Sequence, residues 1–393
     1  MSHDAEIIIV GAGPAGSAAA IAASQLGRRV LLLDRARFPR DKPCGDLIGA
    51  RALRLARILG IDHEVVDRYR PLSGVQVTTD AGSLNLSPTG TAGRAFVDSS
   101  DARIIPRETF DAAMMAAAIR TGASLETVTV RSVDSEGAQR VVRGTSRGGE
   151  IKLRAPLVII AGGYGCRVAS DVAPSPDERA EERPHGIAMR GYFRNVSSPP
   201  REIVFSLDEW VLPGYGWVFP LPGGMANVGI GSLVGKGQGE SEHLHQLYHR
   251  YVNDPSSPIA QWMADVEPVG KPRTWPLDLG PRPRRLVAAG LLVAGESAGF
   301  VGPMTGAGIA FALESGMKAG EIASAALARG NTSANALNPY ARWAVRHPLA
   351  WLKVEERAHW LISDPARLRR VVRVTRPLPV TPAIGAKLLL NLG

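Results

Sequence analysis

Cysteine is nearly missing from this chain of 393 residues: there are two, Cys44 and Cys166. Two thiols cannot build a disulfide framework, and these two lack metal-ligand spacing. No metal is expected, and a reducing cytoplasm is the natural compartment. Long apolar runs are also missing. None reaches the roughly 18 residues that a membrane span needs, so any membrane contact is expected to be peripheral. The opening MSHDAEIIIV carries acids and no basic stretch, unlike a secretory signal. No internal repeat or low-complexity linker interrupts the chain.

Acidic residues are the minority, 37 against 46 Lys and Arg, for a net charge of +9. The basic residues are scattered, apart from RPRR (282–285) and RLRRVVRVTR (367–376). No recognition module or aromatic stacking pattern accompanies them, so nucleic acid is not an expected partner. The excess is either a solvated surface or, where basic and apolar residues alternate near the C-terminus, a helix resting on anionic lipid. What remains is an ordinary globular profile, 45% hydrophobic and 21% charged, long enough for two or three lobes around one large core. Oligomeric state is not legible.

The informative stretch is EIIIVGAGPAGSAAAIAASQLGRRVLLLDR (6–35). A β-branched run, Ile7 to Val10, ends at Gly11, and an Ala-rich helix follows to about Leu26. A second apolar strand, Val30 to Leu33, ends at Asp34 and Arg35. Gly11 permits a tight turn, Gly13 lets the backbone approach a pyrophosphate, and Gly16 lets helix and strand pack closely. With Pro14 and Ala15, the helix N-terminus offers amide donors and a favourable dipole to phosphates. Asp34 stands where a carboxylate can bind ribose hydroxyls. Strand, glycines, helix, second strand and acid arrive in register, which reads as a βαβ dinucleotide site. The motif alone does not choose between FAD and NAD.

Other segments carry a resemblance that does. GAGPAG (11–16), the Arg of IIPRETFDAAMMAAAIRTGA (104–123) and GESAGFVGPMTGAGIAFALESG (295–316) resemble the three FAD-contacting stretches of the group A flavoprotein monooxygenase superfamily. Within it, PCGD (43–46) and PGYGWVFP (213–220) are similar to the geranylgeranyl reductase family. The resemblance implies an α/β fold: a Rossmann-type FAD-binding domain, p-hydroxybenzoate hydroxylase-like, interleaved with an antiparallel-sheet substrate domain and followed by C-terminal helices. The boundaries expected are 1–75, 100–180 and 280–330 for FAD, 76–99 and 181–279 for substrate, and 331–393 for the helical region. Arg107 would reach the FAD phosphate or ribitol from a helix start. Gly295, Glu296, Gly306, Ala307 and Gly308 would meet the flavin, the last three at a helix N-terminus facing its pyrimidine end. As a plainer alternative, the small residues of this segment serve helix packing.

Two positions depart from the family pattern. Glu296 replaces the usual Asp, keeping the charge on a longer arm. The middle motif, commonly Ala-Asp-Gly, is here VIIAGGYGCR (158–167), with Gly162 in place of the acid. That leaves the electron donor open among NADPH, ferredoxin and reduced flavin.

From His185 to Leu233 the sequence reads as strands. Tyr215, Trp217 and Phe219 alternate and therefore share one face, either against a long apolar ligand or as filling for the core. The resemblance favours the former, a prenyl-binding wall. RDKPCGD (40–46) sits beyond the second strand, with a helix expected from about Leu47 that would place its N-terminus beside Cys44. Cys44 and Gly45 would lie by the cofactor, and a cysteine held there could give a proton to a carbon that receives hydride. The resemblance implies the same role. Cys166 reads as structural.

The expected activity is an FAD-dependent oxidoreductase acting on a hydrophobic isoprenoid-type small molecule by reducing C=C bonds. The alternative is an FAD-dependent monooxygenase of a terpenoid or aromatic metabolite. A flavin-binding protein without turnover is a third reading, and halogenation is not expected, since no WxWxIP-like segment occurs.

Overall fold

The computed structural model describes residues 4–80, 82–86, 101–172, 185–196, 202–234, 240–281 and 284–375. Parts of the expected 76–99 segment, of both basic clusters and of the C-terminal region lie outside the described residues.

Ile7–Val10 is buried along its whole length because it lies inside a six-stranded sheet. It pairs in parallel with Leu157–Ile160 on one side and Val30–Asp34 on the other. Leu291–Val293 and Ser124–Thr127 extend the sheet, and Val287–Ala288 closes one edge antiparallel. Strands covered on both faces read as continuous apolar runs, as Ile7–Val10, Leu157–Ile160 and residues 30–33 do, whereas the edge strand Ser124–Thr127 is largely exposed. The Pro14–Gln25 helix covers one face, and the Ile309–Ala328 helix packs across it. Their approach is close: a Cβ on Gly316 would lie 2.1 Å from the Ala15 carbonyl oxygen. The plainer reading of the small residues therefore holds for Gly316, inside the helix.

The second large sheet has seven strands, in the order Glu267–Leu277, His185–Arg194, Met225–Val234, Tyr215–Leu221, Ile203–Ser206, Val75–Thr79 and Gly82–Leu86. It is antiparallel except where Ile203–Ser206 runs parallel to Val75–Thr79. Alternation sorts its two faces. Phe205, Trp217 and Phe219 pack together on one, while Val204, Val218 and Ile230 pack on the other against Tyr248 and Tyr251 of the Glu240–Asn253 helix.

Three helices, Ala334–Arg346, Pro348–Ile362 and Pro365–Thr375, follow. Tyr340, fully buried, ties the first of them to the six-stranded sheet by donating to the Val293 carbonyl at 2.8 Å. Among the described residues, no helix is long and apolar enough to cross a membrane.

One local expectation is corrected. The helix after RDKPCGD begins at Ala50, not Leu47. Leu47–Ile48 instead forms a short strand against Arg103–Ile104, so the helix that follows starts six residues beyond Cys44.

Candidate active site

A cavity of about 940 Å³ opens at the carboxyl ends of the parallel strands and runs beneath the seven-stranded sheet. Such crevices are where open α/β sheets bind ligands. Val10, Gly11, Leu33 and Asp34 reach it from the first two strands. Gly13, Pro14, Ala15 and Arg35 also line it, as do Arg107, Glu296, Gly306, Ala307 and Gly308. Cys44 and Gly45 stand opposite the aromatic strand, whose Tyr215, Trp217 and Phe219 all face the same space. Gly16 and Gly295 stand behind the wall: a Cβ on Gly16 would lie 1.7 Å from the Gly11 carbonyl, and one on Gly295 would lie 2.8 Å from Ala15 Cβ. Their part is packing.

The residues present suit a dinucleotide. No side chain caps the Pro14–Gln25 helix, so the amides of its first turn are free for an anion. A Cβ on Gly13 would meet nothing nearer than the Arg40 guanidinium, 3.4 Å away. Asp34 accepts the Ala12 and Ala36 amides at 2.8 Å each, which fixes its carboxylate at the rim. Glu296 Oε2 takes the Lys42 ammonium at 2.9 Å, whereas Oε1 is buried and has no partner among the described residues. An acceptor left orphaned in a cavity wall calls for a ligand hydroxyl.

RDKPCGD is fastened at nearly every polar residue. Arg40 pairs with Asp111 at 3.2 Å, and Asp41 with Arg190 and Arg273. Lys42 holds Glu296. Asp46, fully buried and at φ 65°, accepts from Tyr192 Oη at 2.6 Å, Asn227 Nδ2 at 2.8 Å and the Arg107 amide at 3.1 Å. Burial pushes its carboxyl up to about 6, against the pull of these donors. Asn227 also donates to the Cys44 carbonyl at 2.8 Å and accepts from the Trp217 indole at 2.9 Å. A Cβ on Gly45 would lie 2.7 Å from the Phe219 ring. The thiol loop and the aromatic wall are therefore one fitted unit.

Arg107 does not stretch out freely, as a phosphate-reaching arginine would. Its guanidinium is buried and grips Asp111 through two bonds of 2.7 and 2.8 Å. Burial draws its proton affinity down, but the Asp111 carboxylate and then the Cys44 sulfur hold it above its usual range. The half-buried thiol of Cys44 thus sits against a permanent cation.

The comparisons with known proteins agree with this geometry. A family model described as an FAD binding domain matches residues 4–189. Menaquinone reductase of Mycobacterium tuberculosis is 31% identical over 340 residues, 82% of this chain and 77% of that protein. Digeranylgeranylglycerophospholipid reductase 1 of Methanopyrus kandleri is 31% identical over 346 residues, 86% and 85% of the two chains. Among solved structures, a geranylgeranyl bacteriochlorophyll reductase-like protein of Thermoplasma acidophilum superposes with a TM-score of 0.80 at 20% identity, covering 96% of this chain and 98% of its own. The chain belongs to the geranylgeranyl reductase family. It is an FAD-dependent oxidoreductase. The myxobacterial halogenase CndH shares the fold alone, with a TM-score of 0.74 at 21% identity over 92% and 84% of the chains.

Against the family pattern, the two departures find structural reasons. Where an acid is usual, Gly162 faces Cys166: a Cβ there would lie 2.6 Å from Cys166 Sγ. Cys166, read from sequence as structural, fills that space and also lines the cavity. Glu296, with its longer arm, reaches Lys42 of the thiol loop.

Several functional candidates escaped the sequence reading. Asp46 stands inside the PCGD motif, and Asp111 falls one helical turn after Arg107, so both carried a local signal. Asn227 and Tyr192 did not, because their partners lie across the sheet. Glu355 was invisible too. It is fully buried behind the Gly302–Gly308 loop, accepting from Trp351 Nε1 at 2.8 Å and Thr305 Oγ1 at 3.2 Å. Burial pushes its carboxyl up to about 7. Thr305 in turn accepts the Tyr215 hydroxyl on its carbonyl at 2.6 Å.

Proposed function

We propose that the protein saturates isolated C=C bonds in the prenyl chain of a lipid or quinone, with Cys44 as the proton donor. The observation that carries this reading is the Cys44 thiol itself: it lines the cavity between the Arg107 guanidinium and a wall of three aromatic rings. The similarity to a menaquinone reductase and a digeranylgeranylglycerophospholipid reductase supports a prenylated substrate. Reduced FAD, when bound, supplies the hydride.

The chain's own residues do the rest. The Gly13–Ala15 turn would hold the diphosphate, Asp34 a ribose, and the orphaned Oε1 of Glu296 a hydroxyl of the ribityl chain. Tyr215, Trp217 and Phe219 take the prenyl chain along their shared face and keep water from it. An unactivated alkene accepts hydride poorly, so protonation must lead or accompany it. Cys44 gives its proton to one alkene carbon, and the thiolate left behind faces Arg107. Positive charge developing at the other carbon is eased by the negative faces of the aromatic rings. The clamped loop keeps the thiol in place while this happens.

The test is anaerobic. Purified protein is reduced without oxygen and mixed with a geranylgeranyl lipid; reoxidation with appearance of the saturated chain supports the reading. Reoxidation that waits for oxygen and yields a hydroxylated product overturns it in favour of a monooxygenase. NADPH, reduced ferredoxin and free reduced flavin are compared as electron sources in the same assay.

A further inference from the structure

The Pro348–Ile362 helix has two faces of opposite character. Leu352, Glu355 and His359 follow i, i+3, i+7 spacing and turn inward; Leu352 and Glu355 are fully buried, and His359 lines the cavity. Lys353, Val354, Arg357, Trp360 and Leu361 fall on the opposite face and are exposed. Val354 is 46% exposed, Trp360 60% and Leu361 43%, a rare cost for large apolar groups so close together.

Cations frame them. Lys353 and Arg357 lie between the apolar side chains and have no ion-pair partner among the described residues. From the next helix the Arg367 guanidinium lies 4.1 Å from the Trp360 ring centroid, with Asp364 3.7 Å behind it. Arg370 is exposed there, and Arg369 pairs with Glu209. On the preceding helix Val345 is 60% exposed between Arg342 and Arg346. Glu356 is the one exposed acid of the Pro348–Ile362 helix. A tryptophan with aliphatic neighbours, ringed by Lys and Arg, matches the interface of an anionic bilayer in both polarity and charge.

We propose that the outer face of the Pro348–Ile362 helix docks on an anionic lipid surface, so that the helix walling the cavity is the one that touches the membrane. The proposal does not depend on the chemistry assigned to Cys44.

Sedimentation of the FAD-loaded full chain with vesicles tests it. Binding is expected to phosphatidylcholine vesicles containing phosphatidylglycerol, to be absent with phosphatidylcholine alone, and to fall as salt rises. The double variant W360S/L361S should lower the partition coefficient by at least about ten-fold. K353E/R357E should lower it by about five-fold or more for each charge. Both should keep their flavin content and melting temperature, which separates lost docking from lost fold. If the wild type stays in the supernatant with anionic vesicles, the proposal is overturned. It is equally overturned if light scattering shows a dimer that W360S/L361S dissolves, for then a second copy is the occupant. Alkene reduction is read separately, so either claim can fail without the other.

Discussion

Asn227 holds the carbonyl oxygen of Cys44 at 2.8 Å from its side-chain nitrogen, across 183 residues of chain. The same amide nitrogen reaches Asp46, and the amide oxygen takes the Trp217 indole. One side chain therefore sets the distance between the thiol loop and the aromatic wall. Asn227→Leu would leave the indole N–H and the Cys44 carbonyl without partners, and Asp46 Oδ2 with the Tyr192 hydroxyl as its remaining donor. Each buried orphan costs about 1–3 kcal/mol, and neighbouring losses do not simply add. The expected outcome is a drop in stability of about 3 kcal/mol, read by denaturant melts, with turnover falling more than flavin content. A variant with an unchanged melt would mean that the network bears no weight.

Cys44→Ser tests the proton rather than the fold. The hydroxyl occupies nearly the same volume but holds its proton far more tightly than a thiol. General acid catalysis is worth about 10²–10⁴-fold, so reoxidation by alkene should slow by at least about 10²-fold with FAD still bound. Anaerobic stopped-flow absorbance measures it. Near-normal rates would remove Cys44 from the chemistry and leave it as a packing residue of the loop.

The missing acid at Gly162 makes a third prediction. Placing Asp there puts its Cβ 2.6 Å from Cys166 Sγ, and overpacking of this kind costs about 1–3 kcal/mol. Cys166→Ala removes the sulfur, leaving Cys166 Cβ at 3.1 Å, so part of the strain should lift. Gly162→Asp with Cys166→Ala should thus be more stable than the sum of the single variants predicts, by about 0.5–3 kcal/mol. Additivity in urea melts would show that the two positions do not compete for space.

What the sequence could show was what is local. The turn at Gly11–Gly16 is legible because strand, glycine and helix signals lie within thirty residues and agree. Arg107 and Asp111 fall one turn apart on one helix. The anchors of the thiol loop are different, since Asn227 and Tyr192 meet Asp46 only after the sheet has formed. Leu47 misled for a related reason. Apolar residues continue from Leu47 into the Ala50–Ile58 helix, but pairing of Leu47–Ile48 with Arg103–Ile104 overrides that pattern, and Asp46 in the left-handed region turns the chain toward it. Glu355 gave no signal, because an acid amid Lys353, Glu356 and Arg357 reads as surface until helix packing buries it.

Glu355 also gives the protein a dependence on pH. Burial raises its carboxyl from 4.5 to about 7, and Asp46 rises from 3.8 to about 6 by the same cause. An acid whose affinity for protons is raised by folding binds more protons in the native state than in the unfolded one. Its contribution to stability is therefore complete below the unfolded value and is lost as pH climbs through the folded value. For Glu355 the window is about 4.5 to 7, and for Asp46 about 3.8 to 6. Glu355→Gln copies the protonated acid, keeping an acceptor for Trp351 and losing the charge. At about 1.4 kcal/mol per pH unit, the variant should match the wild type near pH 4.5 and exceed it by up to about 3 kcal/mol at pH 8. Denaturant melts across that range measure the difference. Curves that run parallel from pH 4.5 to 8 would show that Glu355 stays ionised in the fold, and that the loop carrying Thr305 rests on a charge rather than on a buried acid.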